Sequence, residues 1–187
     1  MTAPLAGPRP PVTITVRGRP APQGSKRAFA YTPAGGGRPR AGMVEQTSKH
    51  LTPWREDVRA AAERARLLSH CTCDSPDTGA GTVHRDECGI LPPITGPLSL
   101  DMTFYLARPK SHYRTGRNAR ILRDAAPSWP SGTPDLSKLA RATEDAIVSA
   151  GLIADDALIV TYDQLAKRYC AYPDQTPGAV ITIRQLT

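Results

Sequence analysis

Residues 133–156 read TPDLSKLARATEDAIVSAGLIADD, and the fold turns on how this stretch is parsed. Pro134-Asp135 opens a helix. Leu136, Leu139, Thr143, Ala146, Ile147 and Ala150 then recur at helical spacing and share one apolar face. Gly151 is a natural terminator just past the last turn. A few residues later Asp155-Asp156 makes an acidic corner, and Ala157 to Arg168 reads as a long strand. One carboxylate therefore stands at the helix entrance, Asp145 lies inside the helix, and a carboxylate pair begins the next strand. Because so few residues join helix and strand, the two ends of this motif are expected to converge on one spot.

Leu98, Leu100, Met102, Phe104 and Leu106 alternate along the strand that precedes this unit. After it, residues 178–184 make the last strand, with Val180 and Thr182 alternating with Ile181 and Ile183. Upstream, Thr13 to Arg17 is a short strand ended by Gly18. Phe29–Tyr31 and Gly42–Val44 read as two strand arms around a Gly-rich tip. A first helix is expected from Thr52, a good N-cap ahead of Pro53, to about Leu68. Trp54, Val58, Ala61, Ala62 and Ala65 form its apolar stripe. Strands first, a helix on each half and strands last indicate an α+β (mixed α/β) fold with a small mixed sheet and two main helices. All 187 residues are expected to form one domain, with 1–12 a flexible lead-in, 69–95 an inserted loop and 107–134 a flexible basic loop.

The acidic residues suggest metal chemistry. Hard divalent cations such as Mg²⁺ take carboxylate oxygens and keep waters that a substrate phosphate can replace. On the helix, Lys138, Arg141 and Asp145 lie away from the apolar face, and Arg141 and Asp145, four apart, are placed to touch. A cation there would hold a phosphate beside the metal. Each residue also has a plain structural reading: Asp135 as a cap, Asp155-Asp156 as a turn, Arg141 with Asp145 as a surface ion pair.

A net charge of +7 favours a polyanionic partner, nucleic acid being the usual one. Arg108, Lys110, Arg114 and Arg117, with Arg120 and Arg123 after them, make a basic loop just ahead of the acidic motif. Lys26 and Arg27, followed by Arg38 and Arg40, supply a second basic region. The start of the chain lacks a secretory pattern, and no stretch approaches the roughly 20 apolar residues of a membrane helix, so a cytoplasmic protein with no membrane contact is expected. There Cys71, Cys73 and Cys88, with His84, are placed as a Cys₃His set for a structural Zn²⁺, with His70 as a rival ligand and free thiols as the alternative. Cys170 stands apart as a packing residue.

Pro134-Asp135-Leu136, Leu139, Arg141, Asp145-Ala146 and Asp155-Asp156, followed by a strand ending Lys167-Arg168-Tyr169, resemble the signature of the RusA family of Holliday-junction resolvases. Gly18-Arg-Pro-Ala-Pro-Gln-Gly-Ser-Lys26 resembles that family's opening pattern. The resemblance implies a phage or prophage enzyme, at work in a bacterial host, that cuts branched DNA as a homodimer in recombination and repair. It implies Mg²⁺ as cofactor, with Mn²⁺ able to replace it. By position, Asp135, Asp156 and its neighbour Asp155 match metal-binding aspartates, Asp145 a recurrent helix aspartate and Arg141 an essential lysine. Ser137 stands where the family has a further aspartate; Glu144, Asp145 or Asp155 would have to compensate. The alternatives are a branched-DNA-binding protein that has lost catalysis through Ser137, and a zinc-stabilised interaction module.

Overall fold

Residues 9–46, 49–68 and 92–186 are described by a computed structural model, the backbone alone at 25–27, 43–46 and 68. Four strands form the main sheet. They are β1 (Val12–Arg17), β4 (Leu98–Leu106), β5 (Ile159–Tyr169) and β6 (Gly178–Gln185), in the order β1-β6-β4-β5. β6 runs antiparallel to both its neighbours, and β4 and β5 run parallel. The fold is therefore α+β with a mixed sheet. Among the described residues, β2 (Ser25–Tyr31) and β3 (Arg40–Gln46) pair only with each other, as a separate two-stranded arm longer than its aromatic and glycine signals mark out.

Alternation builds the sheet. Leu98, Leu100, Met102 and Phe104 are fully buried, as are Ile181 and Ile183 beside them. Both helices, α1 (Leu51–Leu68) and α2 (Leu136–Ser149), pack on this face and against each other. The face turned away carries short polar ladders. Thr13 and Thr182 hydroxyls lie 3.1 Å apart, Gln164 donates to Thr103 at 2.7 Å, and Arg184 reaches Asp101 at 2.7 Å and Asp163 at 3.2 Å. Those bonds tie neighbouring strands on a face left to water.

α2 ends as its sequence dictates. Gly151 takes φ +65°, its N–H donates to Val148 O, and the N–H of Leu152 donates to Ile147 O. That closes the helix in a Schellman turn and sends the chain into the core through Leu152 and Ile153. Ile94, read as part of an insertion, belongs to this core as well. It is buried and exchanges backbone bonds with Leu152 and Ala154, so the inserted segment ends before it. α1 begins at Leu51, one residue ahead of the expected cap, and β5 begins after a short 3-10 turn over Asp156–Leu158.

The basic connection from β4 to α2 makes hydrogen bonds within itself and to β5. Arg114 and Arg123 backbone N–H groups bond Ile121 O and His112 O, folding residues 112–123 back on themselves. Arg108 donates to Pro127 O at 2.7 Å and lies 4.3 Å over the Tyr169 ring. Lys167 Nζ donates to Gly132 O at 2.5 Å and Pro134 O at 2.9 Å, while Arg168 lies 4.7 Å over the Trp129 ring. Lys167 and Arg168 are consecutive on a strand and point to opposite faces. The segment 129–134 that meets both must pass around the free edge of β5. No helix among the described residues is long and apolar enough to cross a membrane.

Candidate active site

Asp135 occupies the N-cap position of α2, yet its carboxylate makes no capping bond. It is exposed and pairs with Lys138 Nζ at 3.3 Å. A capping role is thereby excluded. Asp155 does have a structural bond, since its carboxylate accepts the Ala157 N–H at 2.8 Å and opens the 3-10 turn. Asp156, next in line, is exposed, and its carboxylate has no hydrogen bond or ion pair among the described residues.

Asp156 stands beside the second half of α2. There the Tyr162 hydroxyl on β5 donates to the Glu144 carboxylate in a short hydrogen bond. Burial pushes the Glu144 carboxyl above its ordinary range, the Tyr162 bond opposes this, and the negative charges of Asp156 and Asp145 add to it. Burial, then the bond to Glu144, likewise pushes the Tyr162 phenol up. A carboxyl that holds its proton more tightly when folded adds stability at low pH, lost as pH rises through its folded range. Glu144→Gln is thus expected to raise the unfolding midpoint at neutral pH and to leave it nearly unchanged in acid. Thermal melts across that range would check this.

Asp145 does not pair with Arg141. Its carboxylate accepts from Arg55 Nη2 of α1 at 2.5 Å, and the same nitrogen reaches Gln23 Oε1 at 2.6 Å. The packing of α1 on α2 brings Arg55 across, whereas Arg141 projects into solvent and acts on Glu144 only through its charge. The Gln23 backbone N–H also donates to Lys138 O, so the N-terminal loop is docked on the first turn of α2. Arg55, Arg59, Asp145, Ser149 and Asp156 line an open cleft of about 590 Å³ between the helices and the acidic corner.

The expected convergence of Asp135 with Asp155-Asp156 is not found within one chain. Asp145, which shares the cleft with Asp156, lies ten positions beyond Asp135, and a rise of about 1.5 Å per residue puts about 15 Å of helix axis between them. Among the described residues no three His, Cys, Asp or Glu side chains stand close enough to hold a metal. The short helix-to-strand joint places the acidic corner beside the last turns of α2, far from its entrance.

Of the basic residues, Lys110 and Arg117 are exposed without partners among the described residues, Arg114 pairs with Asp124 at 3.1 Å, and Arg108 stacks on Tyr169. Lys26 and Arg27 fall on β2, where only the backbone is described. Cys71, Cys73, His84 and Cys88 lie outside the described residues, and nothing there supports the zinc expectation; Cys170 is buried, as expected of a packing residue. Sequence reasoning missed Arg55, Tyr162, Lys167 and Trp129 as parts of the site's frame. Only Lys167 carried a signal, as part of the Lys-Arg-Tyr end of a strand.

A comparison with curated proteins finds no match. The family model of endodeoxyribonuclease RusA matches residues 82–184, a little over half of the chain. The matched stretch holds β4, the basic connection, α2, the acidic corner, β5 and β6, and leaves the opening Gly18–Lys26 pattern outside. With the acidic motif and three of the four strands of the main sheet in that match, the chain belongs to the RusA family of endodeoxyribonucleases, enzymes of Holliday-junction cleavage.

Proposed function

We propose that the chain is a Mg²⁺-dependent endonuclease that hydrolyses phosphodiester bonds in branched DNA during recombination or repair, in the cytoplasm of a bacterial host. It acts as one RusA-like domain per protomer of a homodimer, and Mn²⁺ replaces Mg²⁺. The observation that carries the reading is the family match across a motif whose two exposed carboxylates, Asp135 and Asp156, have no capping role. With α2 between them, Asp135 of one protomer and the Asp155-Asp156 corner of its partner would hold the cation. A two-fold enzyme with two such sites suits a two-fold junction. Bound there, Mg²⁺ supplies an activated water and charge stabilisation at the phosphate.

The protein's own groups bind and orient the DNA. Arg141, between the acidic ends of α2, holds a phosphate with a planar fork where a lysine would offer a point charge. Lys138 steadies Asp135, and Asp145 is held by Arg55. Lys26, Arg27, Arg108, Lys110, Arg114 and Arg117 track the backbone without reading sequence.

Purified protein is expected to nick a synthetic four-way junction in Mg²⁺ and to leave plain duplex intact. Asp156→Asn should lower cleavage by at least on the order of a hundredfold while junction binding persists. Equal cleavage by that variant would end the reading.

Ser137 favours a second reading, a junction-binding protein without catalysis. It is exposed in the first turn of α2, where a carboxylate is favourable by about 0.3–1 kcal/mol. Ser137→Asp is therefore expected to fold at least as well as the wild type. It should also cut the Mg²⁺ needed for half-maximal nicking several-fold, as read from a titration. A wild type that binds junctions but cuts none in Mg²⁺ or Mn²⁺, with cleavage regained in Ser137→Asp, selects this second reading.

A further inference from the structure

The chain has two tryptophans, and they are treated oppositely. Trp54 is fully buried, whereas Trp129 is 56 % exposed. An indole left in water forgoes one of the largest apolar gains available to a side chain. Trp129 is nevertheless fixed. Arg168 covers one of its faces at 4.7 Å, the next residue, Pro130, is buried, and the Ser131 N–H closes a tight turn onto Trp129 O at 3.0 Å. On either side the chain is pinned by Arg108 at Pro127 O and by Lys167 at Gly132 O and Pro134 O. The result is an indole covered on one face by Arg168 and more than half exposed, six residues ahead of Asp135.

We infer that Trp129 is a stacking platform for an unpaired base of the branched DNA. This rests on the reading of the chain as a branched-DNA endonuclease and names the group that tells a branch from a plain duplex. In an intact duplex both faces of every base are already stacked, and an exposed indole has nothing to take. At a branch, bases beside the exchange point give up a neighbour, and a fixed aromatic face with a cation behind it offers a replacement. A positive surround draws in the phosphates next to that base. A protein ligand would call for an apolar surface around the indole, and the Arg168 guanidinium lies against it instead.

The test uses the full chain with Ca²⁺ in place of Mg²⁺, so that DNA is bound and not cut. Because Trp54 is buried, the emission change on binding reports Trp129. A four-way junction is expected to quench it, and equal binding of plain duplex is expected to leave it nearly unchanged. Trp129→Ala should weaken junction binding about tenfold, the range of one base–aromatic stack, with duplex binding unaltered, and Trp129→Phe should recover most of the loss. Junction binding with no change in emission, or an equal loss for duplex and junction in Trp129→Ala, overturns the platform and leaves the endonuclease reading standing. A wild type that binds no branched DNA overturns both.

Discussion

Mixing Asp135→Asn protein with Asp156→Asn protein, each inactive alone, is expected to restore junction nicking. In a heterodimer one site combines both changes, while the other joins the intact Asp135 of one protomer to the intact Asp156 of its partner. Random exchange makes about half of the dimers mixed, with one working site each, so roughly a quarter of all sites recover. The product also differs. On the proposed two-site dimer, the wild type should cut two strands and separate the junction, whereas a mixed dimer should leave a single nick. Gel analysis of labelled junction strands distinguishes these. If mixing restores nothing, a cation site shared between protomers is wrong. The prediction stems from the length of α2, which sets about 15 Å of helix axis between Asp135 and the level of Asp156.

The largest effect on stability is expected at Trp54. Its indole is fully buried between α1, α2 and the sheet, 6.4 Å from the Phe104 ring. Its Nε1 donates to Thr143 Oγ1 at 3.2 Å, and that hydroxyl spends its own proton on Leu139 O at 2.9 Å. One threonine thus serves both as a link in its own helix and as an acceptor for the helix beside it. Trp54→Ala leaves a cavity where α1 meets α2 and is expected to cost about 3–5 kcal/mol. Against a total of about 5–15 kcal/mol this is a large share of the folding free energy. Thr143→Val keeps the packing and strands a buried indole N–H, at about 1–3 kcal/mol. Urea unfolding followed by circular dichroism measures both. Near-equal losses would mean that the hydrogen bond, not the volume, dominates.

Much of the framework is legible before any coordinates, and the reason is periodicity. The stripe Leu139, Thr143, Ala146 and Ile147 is buried as its spacing requires, and Gly151 adopts the backbone only glycine takes readily. The alternation of β4 places Leu98, Leu100, Met102 and Phe104 inside, though not Leu106. Pairings between elements are another matter. The spacing of Arg141 and Asp145 satisfies the helical neighbour rule, yet Asp145 turns to Arg55, which no local rule could bring forward from ninety residues upstream. The convergence of Asp135 with Asp156 fails for a reason that was already in the sequence. A helix that long carries its two ends apart, and a short joint after it returns the chain only to the near end. Trp129 was invisible because exposure is a property of neighbours, and its neighbours lie on β5.

The passage of residues 129–134 around the rim of β5 has a consequence for how the strand comes loose. From Lys167 onward, detaching the strand means undoing contacts on both of its sides along with the approach to α2. At its other end, Val160 to Gln164 lies open to solvent with two irregular steps in its pairing to β4. Amide hydrogens should therefore trade for deuterium along a gradient, quickly near Thr161 through local fraying and near Arg168 only when the whole molecule opens.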